Sequence, residues 1–196
     1  NLLSIRDQLE NHTWRPGQLR TRLIYEPKER VIHIPTYFDR NVHHAVMDLI
    51  TPWWNKRFIE DSFACRVGKG THAASARLTE HLRDMQRKTG TKLGWYIKAD
   101  IKGYFAHINH EVLFSQIQKS ISDRSVLWFC YEQIFDAGFE CMGLPIGTLP
   151  SQQFANVYLD PFDHWVKECL GIKWYVRYMD DLVLILFICF YCVAHY

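Results

Sequence analysis

Hydrophobic residues recur along the chain with two periods, and each period predicts a different secondary-structure element. A period of two indicates a β-strand, because successive side chains of a strand point to opposite faces. Strands are predicted on this basis at residues 30–34 and 95–101, and two more strands flank a tight turn at residues 178–181. Within the stretch 95–101 the apolar residues occupy one face, and Asp100 lies on the polar face with Lys98.

A period of three to four residues indicates amphipathic helices, which capping residues then delimit. The predicted helices start near Asp39, Thr71, Asn109, Arg124 and Ser151, and they end near Pro52, Gly90, Ile121, Ala137 and Gly171. Thr71, Asn109 and Ser151 are predicted to cap their helices through side-chain oxygens. Proline has no backbone donor, so Pro52 is predicted to stop the first helix and Pro161 to kink the last.

Composition adds that the chain can build a folded core. Hydrophobic residues make up 48% of the sequence and aromatic residues 15%, which excludes a disordered chain. The length of 196 residues suits one domain or two small lobes. The net charge of +2 does not by itself indicate nucleic-acid binding. Most of the basic side chains lie in the first half, however, which is compatible with a protein that handles phosphates.

Neither the cysteines nor the histidines are spaced like a metal site. Only Cys189 and Cys192 have the Cys-x-x-Cys spacing, and no second pair completes a zinc site, so free thiols in a reducing compartment are predicted. The histidines lack the His-x-x-x-His spacing, and the pairs 43–44 and 107–110 are interpreted as surface or capping residues.

Two adjacent carboxylates, Asp180 and Asp181, form the tip of the predicted hairpin. Their like charges repel each other, and a bare strand–turn–strand unit offers nothing to offset the repulsion. A divalent cation would offset it, because Mg²⁺ takes oxygen ligands from carboxylates and substrate phosphates. A solvated hairpin tip is the alternative interpretation, because Asp is a common turn residue.

A third carboxylate, Asp100, favours the metal interpretation. The chain runs from the Asp100 strand through two helices, a loop rich in glycine and proline, and a long helix to the hairpin. This order suits a sheet packed on one face by helices, in which the Asp100 strand lies beside the hairpin. Three carboxylates would then meet at one patch and bind two divalent ions roughly 3.5–4 Å apart, which serves in-line phosphoryl transfer. A solvated strand residue is the alternative for Asp100.

Several short blocks of the sequence, in the order in which they occur, resemble a reverse transcriptase. They are residues 30–40, 61–72, 100–105, 143–147 and 178–181, the last of which reads Tyr-Met-Asp-Asp. The resemblance extends from about Lys28 to Leu186. It implies an α+β fold, in which the fingers and palm of a right-hand polymerase include an antiparallel palm sheet packed by helices.

The same resemblance implies a domain arrangement and an activity. The implied fingers comprise residues 1–94 and 110–150, and the implied palm comprises residues 95–109 and 151–196. The implied activity is RNA-directed DNA polymerisation, in which deoxynucleotides are added to a primer 3′-hydroxyl. An RNA template, a DNA or RNA primer and dNTPs are the implied partners, and two Mg²⁺ ions, or Mn²⁺ in their place, are the implied cofactors.

The resemblance also assigns roles to individual residues. Asp100, Asp180 and Asp181 would hold the metal ions, with the Ile101 carbonyl as a further ligand. Phe105 occupies the family's steric-gate position, where a bulky ring excludes a ribose 2′-hydroxyl. The other implied contacts are those of Lys28, Arg30, Ile146 and Gly147 with the incoming nucleotide, and of Arg66, Lys69 and Gln152 with template or primer. Core packing is the alternative for Phe105 and Ile146, and a solvated surface role is the alternative for the template and primer contacts.

Two stretches resemble the reverse transcriptases of diversity-generating retroelements in particular. They are Ala-Cys-Arg-x-Gly-Lys-Gly-Thr-His-Ala at residues 64–73 and Ile-Gly-x-x-x-Ser-Gln at residues 146–152. Many other reverse transcriptases have glutamine at position 146, and isoleucine cannot make the hydrogen bonds of glutamine. The implied enzyme copies adenines with low fidelity, has a small basic accessory protein as partner, and acts in the cytoplasm of a bacterial or phage-carrying cell. The alternatives are a group II intron or retron-type enzyme and a non-catalytic nucleic-acid-binding remnant.

The resemblance ends shortly after the hairpin. The family continues with a further palm segment, a primer-grip region and a helical thumb, whereas residues 187–196 do not resemble that continuation. Because residue 1 is also Asn rather than Met, the chain is predicted to be a fragment in which the thumb is absent. The apolar run 182–194 is too short for a membrane helix of about 20 residues, so a buried strand and no membrane partner are predicted.

Overall fold

The computed structural model describes residues 2–25, 29–92, 94–135 and 141–187. Within these ranges the helices are α1 (Leu2–Glu10), α2 (Tyr37–Arg57), α3 (Thr71–Thr89), α4 (His110–Gln118), α5 (Arg124–Phe135) and α6 (Leu149–His164). The strands are β1 (Arg20–Ile24), β2 (Arg30–Ile34), β3 (Trp95–Asp100), β4 (Trp174–Tyr178) and β5 (Asp181–Leu186). A 3₁₀ turn lies at Tyr104–His107 and a π-helical turn at Trp165–Cys169. Helices and antiparallel strands together confirm the predicted α+β class.

The chain divides into two compact units, each built from two separate stretches of sequence. The first unit comprises Asn1–Arg57 and Gly103–Tyr158, and the second comprises Phe58–Lys102 and Leu159–Tyr196. The second unit therefore includes residues 58–94, which the resemblance assigns to the fingers. The boundaries of fingers and palm stay a prediction beside this division.

The second unit is built on a three-stranded antiparallel sheet with the strand order β3-β5-β4. Helix α3 packs on one face of this sheet, where Ala74 and Val176 belong to one buried cluster. Val166, Tyr175 and Leu182 form a second buried cluster. Because Tyr175 and Val176 are neighbours on β4, the two clusters lie on opposite faces of the sheet. Helical segments therefore cover both faces, rather than the single face that the order of elements suggested.

The first unit combines α1, α2, α4, α5 and the start of α6 with an antiparallel ribbon of β1 and β2. Its core is aromatic: the Trp54 and Phe154 rings meet edge to face at 6.1 Å, and Trp14 stacks on Phe129 at 5.7 Å. Neither α1 nor β1 follows from the sequence pattern, because residues 1–27 are polar and basic and show no clear period.

Helix α2 continues through Pro52, so the predicted stop at this residue is wrong. The turn beyond Pro52 carries Trp54, which is only 1% exposed and donates from Nε1 to the Ser120 hydroxyl at 3.1 Å. Burial of a large apolar side chain contributes about 1.5–3 kcal/mol. This gain is comparable with the cost of about 3 kcal/mol for a proline inside a helix, so tertiary packing extends the helix.

Two predicted helix ends are confirmed. Gly90 ends α3 with a φ of 70°, and its backbone N donates to the Gln86 carbonyl at 2.9 Å. Asn109 caps α4, because its side-chain oxygen accepts from the Val112 backbone N at 2.9 Å. In both cases the residue type is the one that the cap geometry favours.

Two predicted caps are wrong by one to three residues. Thr71 is the first residue of α3, and Gly70 precedes it as a cap without a side-chain hydrogen bond. At the start of α6, Thr148 caps the helix in place of Ser151, because its Oγ1 accepts from the Ser151 backbone N at 3.3 Å. Thr148 and Ser151 are both good capping residue types, and the sequence does not distinguish between them.

The last helix ends differently from a regular α-helix. Pro161 lies inside α6, which widens into the π-helical turn at residues 165–169, and Gly171 follows with a φ of 65°. The predicted helix end near Ala137 lies outside the described residues. The predicted strand 182–194 begins within β5, and its part beyond residue 187 lies outside the described residues as well. No helix in the described ranges is long and apolar enough to cross a bilayer.

Candidate active site

The sheet of the second unit brings the three predicted aspartates to one end of its strands. Asp100, the last residue of β3, lies directly opposite Asp181, the first residue of β5. Asp180 precedes Asp181 in the turn, and its carbonyl accepts a hydrogen bond from the Ile101 backbone N at 3.3 Å. The backbone thus places the three aspartates and the Ile101 peptide side by side.

A two-residue turn, Met179 and Asp180, joins β4 to β5. Met179 has a φ of 56°, a left-handed conformation that glycine adopts far more readily than other residues. A positive φ at the first central position is a feature of the type II′ turn, which suits the twist of antiparallel strands. Because such a conformation costs on the order of 1–3 kcal/mol, surrounding contacts must stabilise the turn.

The end of the sheet is acidic and open to solvent. The side chains of Asp100 and Asp181 are exposed, and Asp180 is half-buried. Like charges at directly opposed positions destabilise a sheet. The Nζ of Lys98 lies 3.9 Å from an Asp181 carboxylate oxygen, but both side chains are mostly exposed and such a pair contributes little. The Lys98 pair therefore offsets little of the repulsion between Asp100 and Asp181.

This set of donors suits a hard divalent cation. Mg²⁺ takes carboxylate and carbonyl oxygens as ligands, and it commonly keeps positions for water and for substrate phosphates. Among the described residues, no group of three or more His, Cys, Asp or Glu side chains is arranged so that it could hold a metal ion. The strand register brings the three aspartates to one end of the sheet, and a metal site built from their side chains stays a prediction.

A buried ion pair, which the sequence pattern does not indicate, contacts the turn of the hairpin. Arg177 and Asp163 are both completely buried, and Nη2 of Arg177 lies 2.7 Å from Oδ2 of Asp163. Nη1 of Arg177 donates to the Met179 carbonyl at 3.0 Å. The Tyr175 hydroxyl donates to Oδ1 of Asp163 at 2.7 Å. Burial, together with the nearby Asp163 charge, raises the pKa of Tyr175, so the hydroxyl keeps its proton.

Four of the residues predicted to bind or check the nucleotide belong to the first unit. The loop before α6 packs against β2, and the Ile146 carbonyl accepts from the His33 backbone N at 2.7 Å. Gly147 has a φ of 114°, and a Cβ at this position would lie 2.7 Å from the His33 carbonyl oxygen. Only glycine fits this approach of loop to strand. Arg30 is exposed as the first residue of β2, and Phe105 follows β3.

Backbone hydrogen bonds join Phe105 to the same loop. The Phe105 carbonyl accepts from the Leu144 backbone N, and the Ile108 carbonyl accepts from the Gly143 backbone N, both at 2.8 Å. His110 is fully buried at the start of α4, and its Nε2 donates to the Gly143 carbonyl at 2.6 Å. The Phe105 turn, the loop and β2 therefore form one hydrogen-bonded region of the first unit.

The residues predicted to contact template or primer differ in the burial and the bonding of their side chains. Arg66 is buried, and its Nη1 donates to two main-chain carbonyls at 2.8 Å each. These bonds brace the main chain, and the contact of Arg66 with template or primer stays a prediction. Lys69 is half-buried and forms an ion pair with Glu60 at 3.0 Å. Gln152 is half-buried in the first turn of α6, and Lys28 lies outside the described residues.

Two histidines that the sequence pattern assigns to the surface or to caps are buried instead. One is His110, described above, and the other is His43, which is 3% exposed and lies edge to face with Phe129 at 6.4 Å. Burial lowers the pKa of His43 to about 4, so its ring is neutral at neutral pH. Periodicity counts histidine as polar, and this explains why the pattern places both residues outside the core.

Comparison with known proteins identifies the family. Residues 25–187 match the family described as reverse transcriptase (RNA-dependent DNA polymerase). The match covers most of the chain, including β2, β3 and the hairpin of β4 and β5. The chain belongs to the reverse transcriptase family.

Curated relatives include bacterial proteins. Protein YkfC of Escherichia coli (strain K12) is 27% identical over 175 residues, which are 84% of this chain and 45% of that protein. Group II intron-encoded protein LtrA of Lactococcus lactis subsp. cremoris is 27% identical over 171 residues, which are 82% of this chain and 27% of that protein. The chain thus spans less than half the length of these relatives.

Similar solved structures include telomerases. Apo telomerase from Candida tropicalis, truncated from its C-terminal domain, has a TM-score of 0.65 and 17% identity, covering 95% of this chain and 48% of that one. Telomerase from Candida albicans in complex with a fragment of telomeric RNA has a TM-score of 0.56 and 12% identity, covering 94% and 42%. At these identities the similarity concerns the fold, and it confirms the predicted polymerase fold.

Proposed function

We propose that this chain provides the catalytic core of an RNA-directed DNA polymerase, which adds deoxynucleotides to a primer 3′-hydroxyl on an RNA template. The observation that carries the proposal is the register of the sheet, in which Asp100 lies opposite Asp181 with Asp180 in the adjacent turn. Membership of the reverse transcriptase family supports it. The location of the acidic patch at the end of a packed sheet supports it as well, because a catalytic patch needs a rigid base.

In this proposal the three aspartates and the Ile101 carbonyl hold two Mg²⁺ ions, or Mn²⁺ in their place. Bound divalent ions supply activation of the attacking hydroxyl and neutralisation of the charge on the leaving pyrophosphate. The exposed side chains of Asp100 and Asp181 leave the patch accessible to a primer terminus. The contribution of the chain itself is positioning and electrostatics rather than covalent chemistry.

Separate roles are proposed for basic, aromatic and amide side chains outside the acidic patch. Arg30 pairs with the triphosphate, because its guanidinium fork donates parallel hydrogen bonds to phosphate oxygens, and Lys28 pairs with it as a point charge. The ring of Phe105 excludes a ribose 2′-hydroxyl and so selects deoxynucleotides. Lys69 and Gln152 contact the template or primer.

Two subclasses of reverse transcriptase are candidates, and different observations favour them. Ile146 and Gly147 favour error-prone copying at adenines in a diversity-generating retroelement, because an isoleucine side chain cannot hydrogen-bond to the nascent base pair. The proposed accessory protein and the proposed bacterial cytoplasm belong with this candidate. The relative LtrA, a group II intron-encoded protein, favours a group II intron-type enzyme as the second candidate.

Primer extension on an RNA template tests the polymerase proposal. Asp180→Asn removes a carboxylate with little change of shape, and we expect incorporation to fall by about a thousandfold or more, because metal-held charge stabilisation is worth several kcal/mol. Asp48→Asn, at an exposed position of α2, is the matched control and should retain activity. Full activity of the Asp180→Asn protein would refute the metal assignment.

Templates rich in adenine separate the two candidates. Misincorporation concentrated at adenines, and lowered by Ile146→Gln, supports the diversity-generating subclass. Equal fidelity at all four template bases supports the group II intron-type enzyme. RNA binding without primer extension on any template would support a non-catalytic nucleic-acid-binding remnant.

A further inference from the structure

We infer that the buried pair of Arg177 and Asp163 positions the acidic hairpin, because it holds the Met179 carbonyl and thereby sets the place of Asp180 and Asp181. The inference rests on the proposed function, since it concerns the same carboxylates. Because Arg177 and Asp163 are completely buried, they are positioning residues and not catalytic residues.

The guanidinium of Arg177 is held in one orientation. Its Nε lies 2.8 Å from Oδ1 and 2.9 Å from Oδ2 of Asp163, and its Nη2 lies 2.7 Å from Oδ2. Nη2 also donates to the Ser62 hydroxyl at 3.2 Å, which leaves Nη1 to donate to the Met179 carbonyl at 3.0 Å. Because the guanidinium is planar, the ion pair fixes the direction of the bond to Met179.

The backbone of Arg177 is held on both sides of β4. Its N donates to the Asp61 carbonyl at 2.9 Å, and its carbonyl accepts from the Phe63 backbone N at 3.0 Å. On the other side of β4, Arg177 pairs with Leu182 of β5. The backbone that carries the guanidinium is therefore fixed along both edges of β4. The bond from Arg177 to Met179 can thus fix the position of the turn relative to the sheet.

The Met179 carbonyl is the point at which the hairpin needs this support. Met179 has a positive φ, is 9% exposed, and is followed directly by the two aspartates. A buried carbonyl without a donor is costly, and a charged donor makes a stronger hydrogen bond than a neutral one. The Arg177 bond thus stabilises the strained turn conformation in which the Asp180 carbonyl meets the Ile101 backbone N.

Tyr175 provides a matched control for a purely structural role. Its hydroxyl donates to Oδ1 of Asp163, the same oxygen that Nε of Arg177 contacts, and it is directed at Asp163 rather than at the turn. Tyr175→Phe therefore weakens the buried cluster but keeps the donor to Met179. Arg177→Gln removes that donor, so the two variants separate positioning from packing.

Amide hydrogen exchange of the chain without metal tests the inference directly. For Arg177→Gln we expect exchange in the peptide 178–183 to be faster by about tenfold or more, because a hydrogen bond from a charged donor is lost. Exchange in α3 should change far less, and Tyr175→Phe should leave the hairpin peptide as it is. Equal acceleration of the hairpin and α3, or an unchanged hairpin, would overturn the inference.

Mn²⁺ binding, measured by electron paramagnetic resonance, tests the consequence for the carboxylates. We expect Arg177→Gln to raise the Kd for Mn²⁺ about tenfold, Tyr175→Phe to change it less than twofold, and Asp180→Asn to abolish binding. Wild-type affinity in Arg177→Gln would overturn the inference, whereas wild-type affinity in Asp180→Asn would overturn the proposed metal role. The exchange experiment decides the positioning role in that second case.

A second variant covers the case in which Arg177→Gln does not fold. Arg177→Lys keeps the charge opposite Asp163, but it replaces the planar guanidinium fork with a rotatable ammonium, so the fixed direction of the bond to the Met179 carbonyl is lost. The same faster exchange in the hairpin and the same weaker Mn²⁺ binding are expected of it. Wild-type values of both in a folded Arg177→Lys protein would overturn the inference.

Discussion

Two regions that carry predicted functional residues hold their backbones in different ways. In the second unit the turn at Met179 is held by the buried ion pair of Arg177 and Asp163. In the first unit the loop at Ile146 is held by a main-chain hydrogen bond to β2 and by the absence of a side chain at Gly147. A strained turn that carries carboxylates is held by a charged donor of fixed direction, whereas a neutral loop beside a strand is held by a main-chain hydrogen bond and by space at a glycine.

This difference has consequences that mutation can expose. The hairpin should be sensitive to the loss of a buried charge, because the partner charge is then left without compensation. The first unit should be sensitive to added volume at this loop and to charging of buried His43 on α2. Exposed charges beside either region should matter little.

The largest effect is expected for Asp163→Asn. The change keeps the volume of the side chain but leaves the Arg177 guanidinium buried without a counter-charge, so the unfolding free energy should fall by about 3–5 kcal/mol. Urea unfolding measures the loss, and the exposed Asp48→Asn should stay within about 0.5 kcal/mol of the wild type. A loss for Asp163→Asn as small as that of the control would show that the hairpin does not depend on buried charge.

The next largest effect is expected for Gly147→Ala. The φ of 114° strains any L side chain, and the new Cβ would lie 2.7 Å from the His33 carbonyl oxygen. A loss of roughly 2–4 kcal/mol should result from strain and overpacking together. Gly68→Ala is the control, since Gly68 has a φ of 74° with no atom within 4 Å of the added carbon. Gly147→Ala should lose more unfolding free energy than Gly68→Ala, because only its Cβ meets the His33 carbonyl oxygen. Equal losses in urea unfolding would contradict this close approach of loop and strand.

Acidification should weaken the first unit through His43. Burial lowers the pKa of His43 from 6.5 to about 4, so the folded state favours the neutral ring. The stabilisation is complete above about pH 6.5 and is lost as the pH falls toward 4, up to about 3 kcal/mol. His43→Gln should flatten the curve of unfolding free energy against pH in this window. His44→Gln removes only a minor charge contribution to the pKa of His43 and should change the curve far less. A wild-type curve for His43→Gln would exclude this source of acid sensitivity.

The smallest effect is expected for Lys98→Met. The Lys98 ammonium lies 3.9 Å from an Asp181 oxygen, but both groups are mostly exposed, so the unfolding free energy should change by less than about 1 kcal/mol. Even this difference should vanish at high ionic strength, because salt screens exposed pairs. Lys102→Met, at another exposed lysine, controls for the change of net charge. A larger, salt-resistant effect would mean that Lys98 compensates the carboxylates more strongly than its exposure indicates.

The strand that carries Asp100 illustrates what a local pattern predicts and what it leaves open. Alternation predicts a strand at residues 95–101, and β3 occupies Trp95–Asp100. The face that the pattern predicts as buried is 64% exposed at Trp95 and 50% exposed at Ile97. β3 is an outer strand of the sheet, and only its end near Ala99 packs against the second cluster. The period thus predicts the element, but its burial depends on the position of the strand in the sheet.

The helix predictions failed where distant packing outweighs a local rule. Pro52 should end α2 by its own chemistry, yet Trp54 in the following turn is buried against Phe154 and the helix continues. At the start of α6 two good caps lie three residues apart, and the path of the preceding loop decides for Thr148. Gly90 and Asn109 were predictable because their cap geometry depends on nearby backbone atoms alone.

For the candidate site, the sequence indicates the aspartates but not what holds them. Met179 is not a residue type that signals a positive φ, and no local pattern marks it. Asp163 and Arg177 are 14 residues apart, which matches no contact within one helix or one strand. From the sequence, Arg177 could equally be an exposed residue beside the hairpin. The ion pair with Asp163 is recognised only because both side chains are buried.

The sequence by itself determined the α+β class, the strand and hairpin that carry the aspartates, and the family, because periodicity and linear motifs are encoded in neighbouring residues. Only the tertiary structure decided that Asp100 faces Asp181, that a buried ion pair reaches the turn before Asp180, and that His43 lies inside the core. Strand register and burial depend on contacts between residues far apart in the chain, and a one-residue shift of register would move every side chain to the other face. No local pattern contains that information.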